Sequence, residues 1–157
     1  MKRAALFLSA ALALFIGPYL VTEREVFFPR PSDRPGPSPG ELRAAEELVR
    51  QFLARLPDAY AKGSSAPVAF ASARPEALAP LESDLAFLAA QGRAVALELR
   101  TAEVRAEVEP DGKVRVRSHE TWSVREGAAR REAETHVVYL VEETAAGPRI
   151  AGWEVFP

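Results

Sequence analysis

The chain has 157 residues, 20 Lys and Arg against 22 Asp and Glu, a formal net charge of −2 and 48% apolar residues, a balance that excludes both a disordered tail and a basic nucleic-acid-binding surface. It contains no cysteine, which removes disulfides, thiolate metal sites, thiol nucleophiles and a lipid-anchor cysteine together. What remains is one small globular domain with targeting sequence in front of it.

Residues 4–21 (AALFLSAALALFIGPYLV) form an eighteen-residue apolar run. At about 1.5 Å per residue it reaches roughly 27 Å, enough to cross a thin hydrocarbon layer. Lys2 and Arg3 precede it and Thr22, Glu23, Arg24 and Glu25 follow, which predicts the N-terminus inside and the C-terminus outside. Ala11-Leu12-Ala13 has the shape of a signal-peptidase site but comes too early, and Gly17-Pro18-Tyr19-Leu20 lacks that shape. Residues 1–28 are therefore read as an uncleaved signal-anchor, making a single-pass protein of the cytoplasmic membrane with its C-terminal domain outside the cytoplasm. The alternative is a cleaved signal and a secreted or periplasmic product.

Residues 29–40 hold the next feature, with five prolines among residues 29–39. Proline at that density excludes helix and sheet and favours an extended spacer of about 3 Å per residue. The domain, residues 41–157, opens on a helix signal: Ser38 as N-cap, Pro39 at the first helical position and Glu41 three residues after the cap make a capping box. Leu42, Ala45, Val49, Phe52, Leu53, Leu56 and Tyr60 recur at helical spacing, with Pro57 expected to bend or end the regular part and Gly63 to close it. A short second helix is expected within 67–73. A third is expected from Pro75 or Pro80 to Ala90, with Leu81, Leu85, Phe87 and Leu88 on its apolar side and Gly92 as its stop.

From Arg93 the period becomes two. Val95, Leu97 and Leu99 share a parity that Ala102, Val104, Ala106 and Val108 reverse, so a β-bulge is predicted at Arg100 to Thr101. Pro110-Asp111-Gly112 turns the chain into a strand with Val114, Val116, Trp122 and Val124 on one face. Glu126-Gly127-Ala128-Ala129 leads to a third, carrying Ala133, Val137, Tyr139 and Val141, and Ala146-Gly147-Pro148 precedes the last, over 149–156. The predicted fold is α+β: three N-terminal helices packed on a curved four-stranded antiparallel sheet, preceded by the anchor helix.

This order, with the stretch from Ala59-Tyr60-Ala61 through the helix ending at Gly92, the strand pair around Trp122 and Tyr139 and the closing Gly152-Trp153-Glu154-Val155, resembles the nuclear transport factor 2-like cone fold. It also resembles the extracytoplasmic domain of bacterial single-pass proteins of the teicoplanin-resistance-associated type. The resemblance implies a non-catalytic envelope module that meets other proteins or cell-wall material. Other members of that superfamily are isomerases and dehydratases with acid and base side chains inside the cone, so fold alone does not choose between these activities.

The residues narrow the choice. There is no Gly-rich phosphate loop, no H-E-x-x-H, no G-x-S-x-G and no calcium loop. Glu120 shares the parity of Trp122, and a carboxylate facing the core must be paired, at an edge, or functional; it is the candidate general base, with Tyr60 or Thr135 as hydrogen-bonding partner. Tyr60, Trp122, Tyr139 and Trp153 are the candidate ligand-contacting aromatics of a cone pocket, and core packing is their plainer role. A symmetric turn at Glu126 to Ala129 sets His119 opposite His136 with Glu134 diagonal to them, an arrangement that suits a transition metal; two half-exposed histidines on a polar face are the plainer reading, and no metal or cofactor is expected. Arg115, Arg117, Arg125, Arg130 and Arg131 cluster round the central hairpin among Glu126, Glu132 and Glu134, which predicts cross-strand salt bridges more than a lipid- or polymer-binding patch. The reading is a membrane-anchored, extracytoplasmic, non-enzymatic binding module, partnered by the membrane through its N-terminal segment and by an envelope protein or cell-wall material. A homodimer through an open sheet face including Val138 and Leu140 is a further expectation. The alternative is a small-molecule binder or isomerase using Glu120.

Overall fold

The computed structural model describes residues 36–156, so the expected anchor over 1–28 and residues 29–35 of the expected spacer lie outside the described residues. Among the described residues no helix is long and apolar enough to cross a membrane.

Helix α1 (Pro39–Lys62) starts where its cap requires, two residues inside the segment assigned to the spacer. The Glu41 amide donates to Ser38 Oγ at 3.3 Å and the Ser38 amide donates back to the Glu41 carboxylate at 2.5 Å, which satisfies two of the otherwise orphaned donors of a helix start. Its buried stripe is Ala45, Leu48, Val49, Phe52, Leu53 and Ala59. Pro57 does not end it. The proline removes one backbone hydrogen bond, but the buried Ala59 holds the next turn against the core, and tertiary packing outweighs the local penalty. The end comes at Gly63, whose φ of +60° only glycine adopts freely, with the Ser64 amide donating to the Ala59 carbonyl at 3.1 Å.

The expected second helix is a 3-10 turn, Ala66–Ala71, and another, Pro75–Leu78, leads directly into α2 (Ala79–Ala90). The described residues thus carry two α-helices and two 3-10 turns in place of three N-terminal helices. The physical reason is at Ser72, which turns extended and forms a single parallel bridge with Ile150 while the Ala73 amide donates to the Ile150 carbonyl at 2.8 Å. The chain is drawn off to the sheet edge directly after the six residues of the 3-10 segment. In α2, Leu81, Leu85 and Leu88 are buried, whereas Phe87, expected beside them, is exposed.

Four strands follow as an antiparallel meander in the order β1 (Val95–Val108), β2 (Val114–Glu126), β3 (Ala129–Thr144), β4 (Gly147–Phe156). The β1–β2 register slips between Leu99, opposite Trp122, and Thr101, opposite Thr121. That slip is the bulge demanded by the parity change, and it lets the apolar residues on both sides of it face α1. A second irregularity, not foreseen, lies between Leu140 and Val141, which face Gly152 and Ile150. The core sits between α1, the 3-10 segments and the inner sheet face, with Phe52, Leu53, Ile150, Val49, Val68 and Val116 its largest fully buried side chains.

One edge of the sheet is closed by side chains. Glu46 accepts from the Ala106 amide at 3.0 Å, and Arg50, paired with Glu46 at 3.2 Å, donates to the Val104 carbonyl at 3.4 Å. An i, i+4 ion pair of α1 thereby satisfies an amide and a carbonyl on the unpaired edge of β1, where they would otherwise be a template for another strand.

Candidate functional site

Alternate residues of β2 point the same way, so Ser118, Glu120 and Trp122 enter the core together, and the register sets Thr135 of β3 directly opposite Glu120. Glu120 is 3% exposed. One carboxylate oxygen accepts from the Ser118 hydroxyl and, at 2.9 Å, from the Tyr139 hydroxyl; the other accepts from Trp122 Nε1 at 2.8 Å and from the Thr135 hydroxyl at 3.5 Å. Four neutral donors therefore meet the four acceptor positions of one carboxylate. Burial of an acid without this would carry a large desolvation penalty; here the lost water is replaced donor for donor. Burial and the adjoining Glu120 carboxylate push the Tyr139 hydroxyl well above its ordinary value, so it stays a neutral donor.

Of the two alternative partners expected for Glu120, the structure has Thr135. Tyr60 donates to Asp84 of α2 instead, because α1 carries it toward that helix and away from β2. Burial and the Asp84 charge raise the Tyr60 hydroxyl far above the tyrosine range. Of the unforeseen donors, Ser118 and Trp122 follow from alternation, since Ser-x-Glu-x-Trp on β2 places three polar handles on the core face, whereas Tyr139 reaches Glu120 from β3.

The candidate ligand aromatics occupy the interior. The Phe52 ring meets Tyr139 edge-on at 5.8 Å and Trp153 at 5.6 Å, and Tyr139 and Trp153 are 6.4 Å apart. Trp122 and Tyr139 are buried and Trp153 half-buried against them. An open cleft of about 280 Å³ lies elsewhere, beside the β1 bulge, lined by Arg50, Leu53, Leu99, Arg100, Thr101 and Ala102. Neither Glu120 nor any of the four aromatics lines it.

On the outer face, His119 stands directly opposite His136 and their rings stack at 4.3 Å with an interplanar angle of 4°. The Glu134 carboxylate is 3.9 Å from His119 Nε2. Among the described residues no group of three or more His, Asp or Glu side chains is assembled to hold a metal ion. The arginines of the hairpin pair mainly across the β1–β2 side: Arg117 with Glu107 at 2.8 Å, Arg115 with Glu109 at 3.2 Å, Arg130 with Glu98 at 3.4 Å. Among the described residues Glu132 and Glu134 form no ion pair with these arginines, since the register sets Glu132 opposite Ser123 and Glu134 opposite Thr121. Val138 and Leu140 are half-buried on this face, and Phe156, opposite His136 on β4, is 44% exposed.

Helices laid on one face of a four-stranded antiparallel meander, around a hydrogen-bonded interior carboxylate, define an α+β protein. No protein-family model matches the chain, and no curated protein matches it. Among solved structures, the intermembrane space region of the chloroplast protein ARC6 is similar with a TM-score of 0.60 and 18% identity, over 73% of this chain and 95% of that one. A protein from Catenulispora Acidiphila is similar with a TM-score of 0.51 and 14% identity, over 73% and 91%. Identities this low establish a shared fold and nothing further.

Proposed function

We propose that this chain is a membrane-anchored, extracytoplasmic interaction module on a nuclear transport factor 2-like cone, acting by binding and without covalent chemistry. The observation that carries the reading is the state of Glu120: both oxygens of the interior carboxylate are occupied by buried side chains of the protein itself, so it has no oxygen left to take a substrate proton. The apolar run over 4–21 and the proline-rich spacer behind it supply the tether and its reach. The ARC6 region, by its name, also stands in a space between membranes, which accords with an envelope location. With the interior filled, the outer sheet face around Val138, Leu140 and Phe156 is the surface offered to an envelope protein, to wall material or to a second copy.

Lys62 and Lys113 are the only lysines of the domain and both are exposed, which gives the reading a direct test. A membrane-impermeant amine cross-linker applied to intact cells should join the full chain, through these lysines, to a defined envelope component, and Glu120→Gln should leave the adduct unchanged. Labelling only after lysis would overturn the location. Loss of the adduct in Glu120→Gln at preserved folding would return the interior carboxylate to a functional role.

A further inference from the structure

The stacked imidazoles on the outer face are not needed by the interaction reading, and their geometry supports a separate property. A cross-strand pair in direct register projects two side chains from adjacent strands in the same direction, with a separation fixed by the sheet. Here the rings are parallel within 4° and 4.3 Å apart. Two nitrogens that share one ion at about 2.0–2.1 Å each stand roughly 3.3 Å apart in a tetrahedral arrangement, so a counter-rotation of the two rings aims one nitrogen of each at a common point. His119 Nε2 is enclosed and has no hydrogen-bond partner among the described residues, with the Glu134 carboxylate only at 3.9 Å.

The surrounding charges favour a cation. Glu103 of β1 is opposite His119, and the Glu134 carboxylate is 3.9 Å from its ring nitrogen. The nearest positive charge along β2, Arg117, is turned toward β1 by its 2.8 Å contact with Glu107. Phe156, opposite His136, covers the β4 side. We propose that His119 and His136 form a two-imidazole site for a divalent transition-metal ion, Cu²⁺ bound more tightly than Zn²⁺ by the ordinary preference of nitrogen ligands, with water completing the coordination.

The chain has only two histidines, so an untagged full-length preparation in detergent has no competing imidazole. Titration with Cu²⁺ alone should show one ion per chain, and its electron paramagnetic resonance spectrum should carry the coupling of two imidazole nitrogens. Since loss of even a supporting group around a metal commonly weakens binding 10–100-fold, His119→Gln and His136→Gln should each weaken it by about tenfold or more and reduce the coupling to one nitrogen. Both substitutions are on the outer face, and an unchanged melting curve without metal will separate lost ligation from lost folding. No uptake by the parent chain, or uptake with an unchanged spectrum in both variants, overturns the site.

Discussion

The two faces of one sheet, built from the same alternating strands, solve opposite problems. On the inner face of β2 and β3, which also carries the buried Val116, Val137 and Val141, one carboxylate has every hydrogen bond supplied from within by Ser118, Trp122, Thr135 and Tyr139. On the outer face of the same strands, arginines and glutamates pair in reach of water and two histidines stack. The difference teaches that polar chemistry in a strand means different things according to parity: inside, each polar atom is held by the fold and is expensive to disturb, while outside the same residue types are weakly coupled to stability and free to meet something else.

That contrast can be broken from the inside first. Phe52 is fully buried and touches both Tyr139 and Trp153, so Phe52→Ala should lower the unfolding free energy by about 3–5 kcal/mol, measured by denaturant titration. A loss below about 1 kcal/mol would mean that the aromatic interior is looser than described. Tyr139→Phe deletes one donor to the carboxylate and little volume, and a loss of about 1.5–3 kcal/mol is expected for a hydrogen bond to a charged group. Ser38→Ala removes the cap of α1, far from either face, and should lower stability by about 1 kcal/mol in the same assay.

The smallest effect is sharpened by pH. The Ala106 amide, with Arg50 alongside, holds the Glu46 carboxyl below its ordinary value, and the Arg93 guanidinium does the same for Glu126. A depressed carboxyl contributes stability that is fully present above the ordinary glutamate range near about 4.3 and is lost as pH falls through the lower folded value. Melting temperature should therefore decline on acidification below that range, and Glu46→Gln should flatten the decline. An identical acid profile for the variant would show that the β1 edge does not depend on this contact.

Much of this architecture is legible in the sequence. The capping box at Ser38, the bulge forced by the parity change after Leu99 and the opposition of His119 to His136 follow from local spacing alone, because helix caps and strand pairing are short-range consequences of the chain. Burial of Glu120 followed from parity with Trp122. Of its donors Thr135 followed from the register, whereas Tyr139 did not, because it reaches Glu120 diagonally from a position opposite Val116, a relation set by twist and side-chain length. The short second helix expected within 67–73 is present over Ala66–Ala71, but as a 3-10 helix, a distinction that local spacing does not carry. Of the two outcomes expected at Pro57, a bend or an end, the end is excluded, because the helix continues to Lys62 with Ala59 buried against the core.

The claim that the interior is structural and the function lies at the surface is tested most directly by the equilibrium stability of Glu120→Gln. The amide keeps the shape but turns one acceptor into a donor facing Ser118 and Tyr139, or Trp122 and Thr135, so a loss of about 1–3 kcal/mol is predicted, with binding to the envelope partner intact. Residues held in place for catalysis commonly give the reverse, stability unchanged or raised at the expense of activity. Stability equal to or above the parent's in Glu120→Gln, with partner binding lost, is the result that would contradict the account.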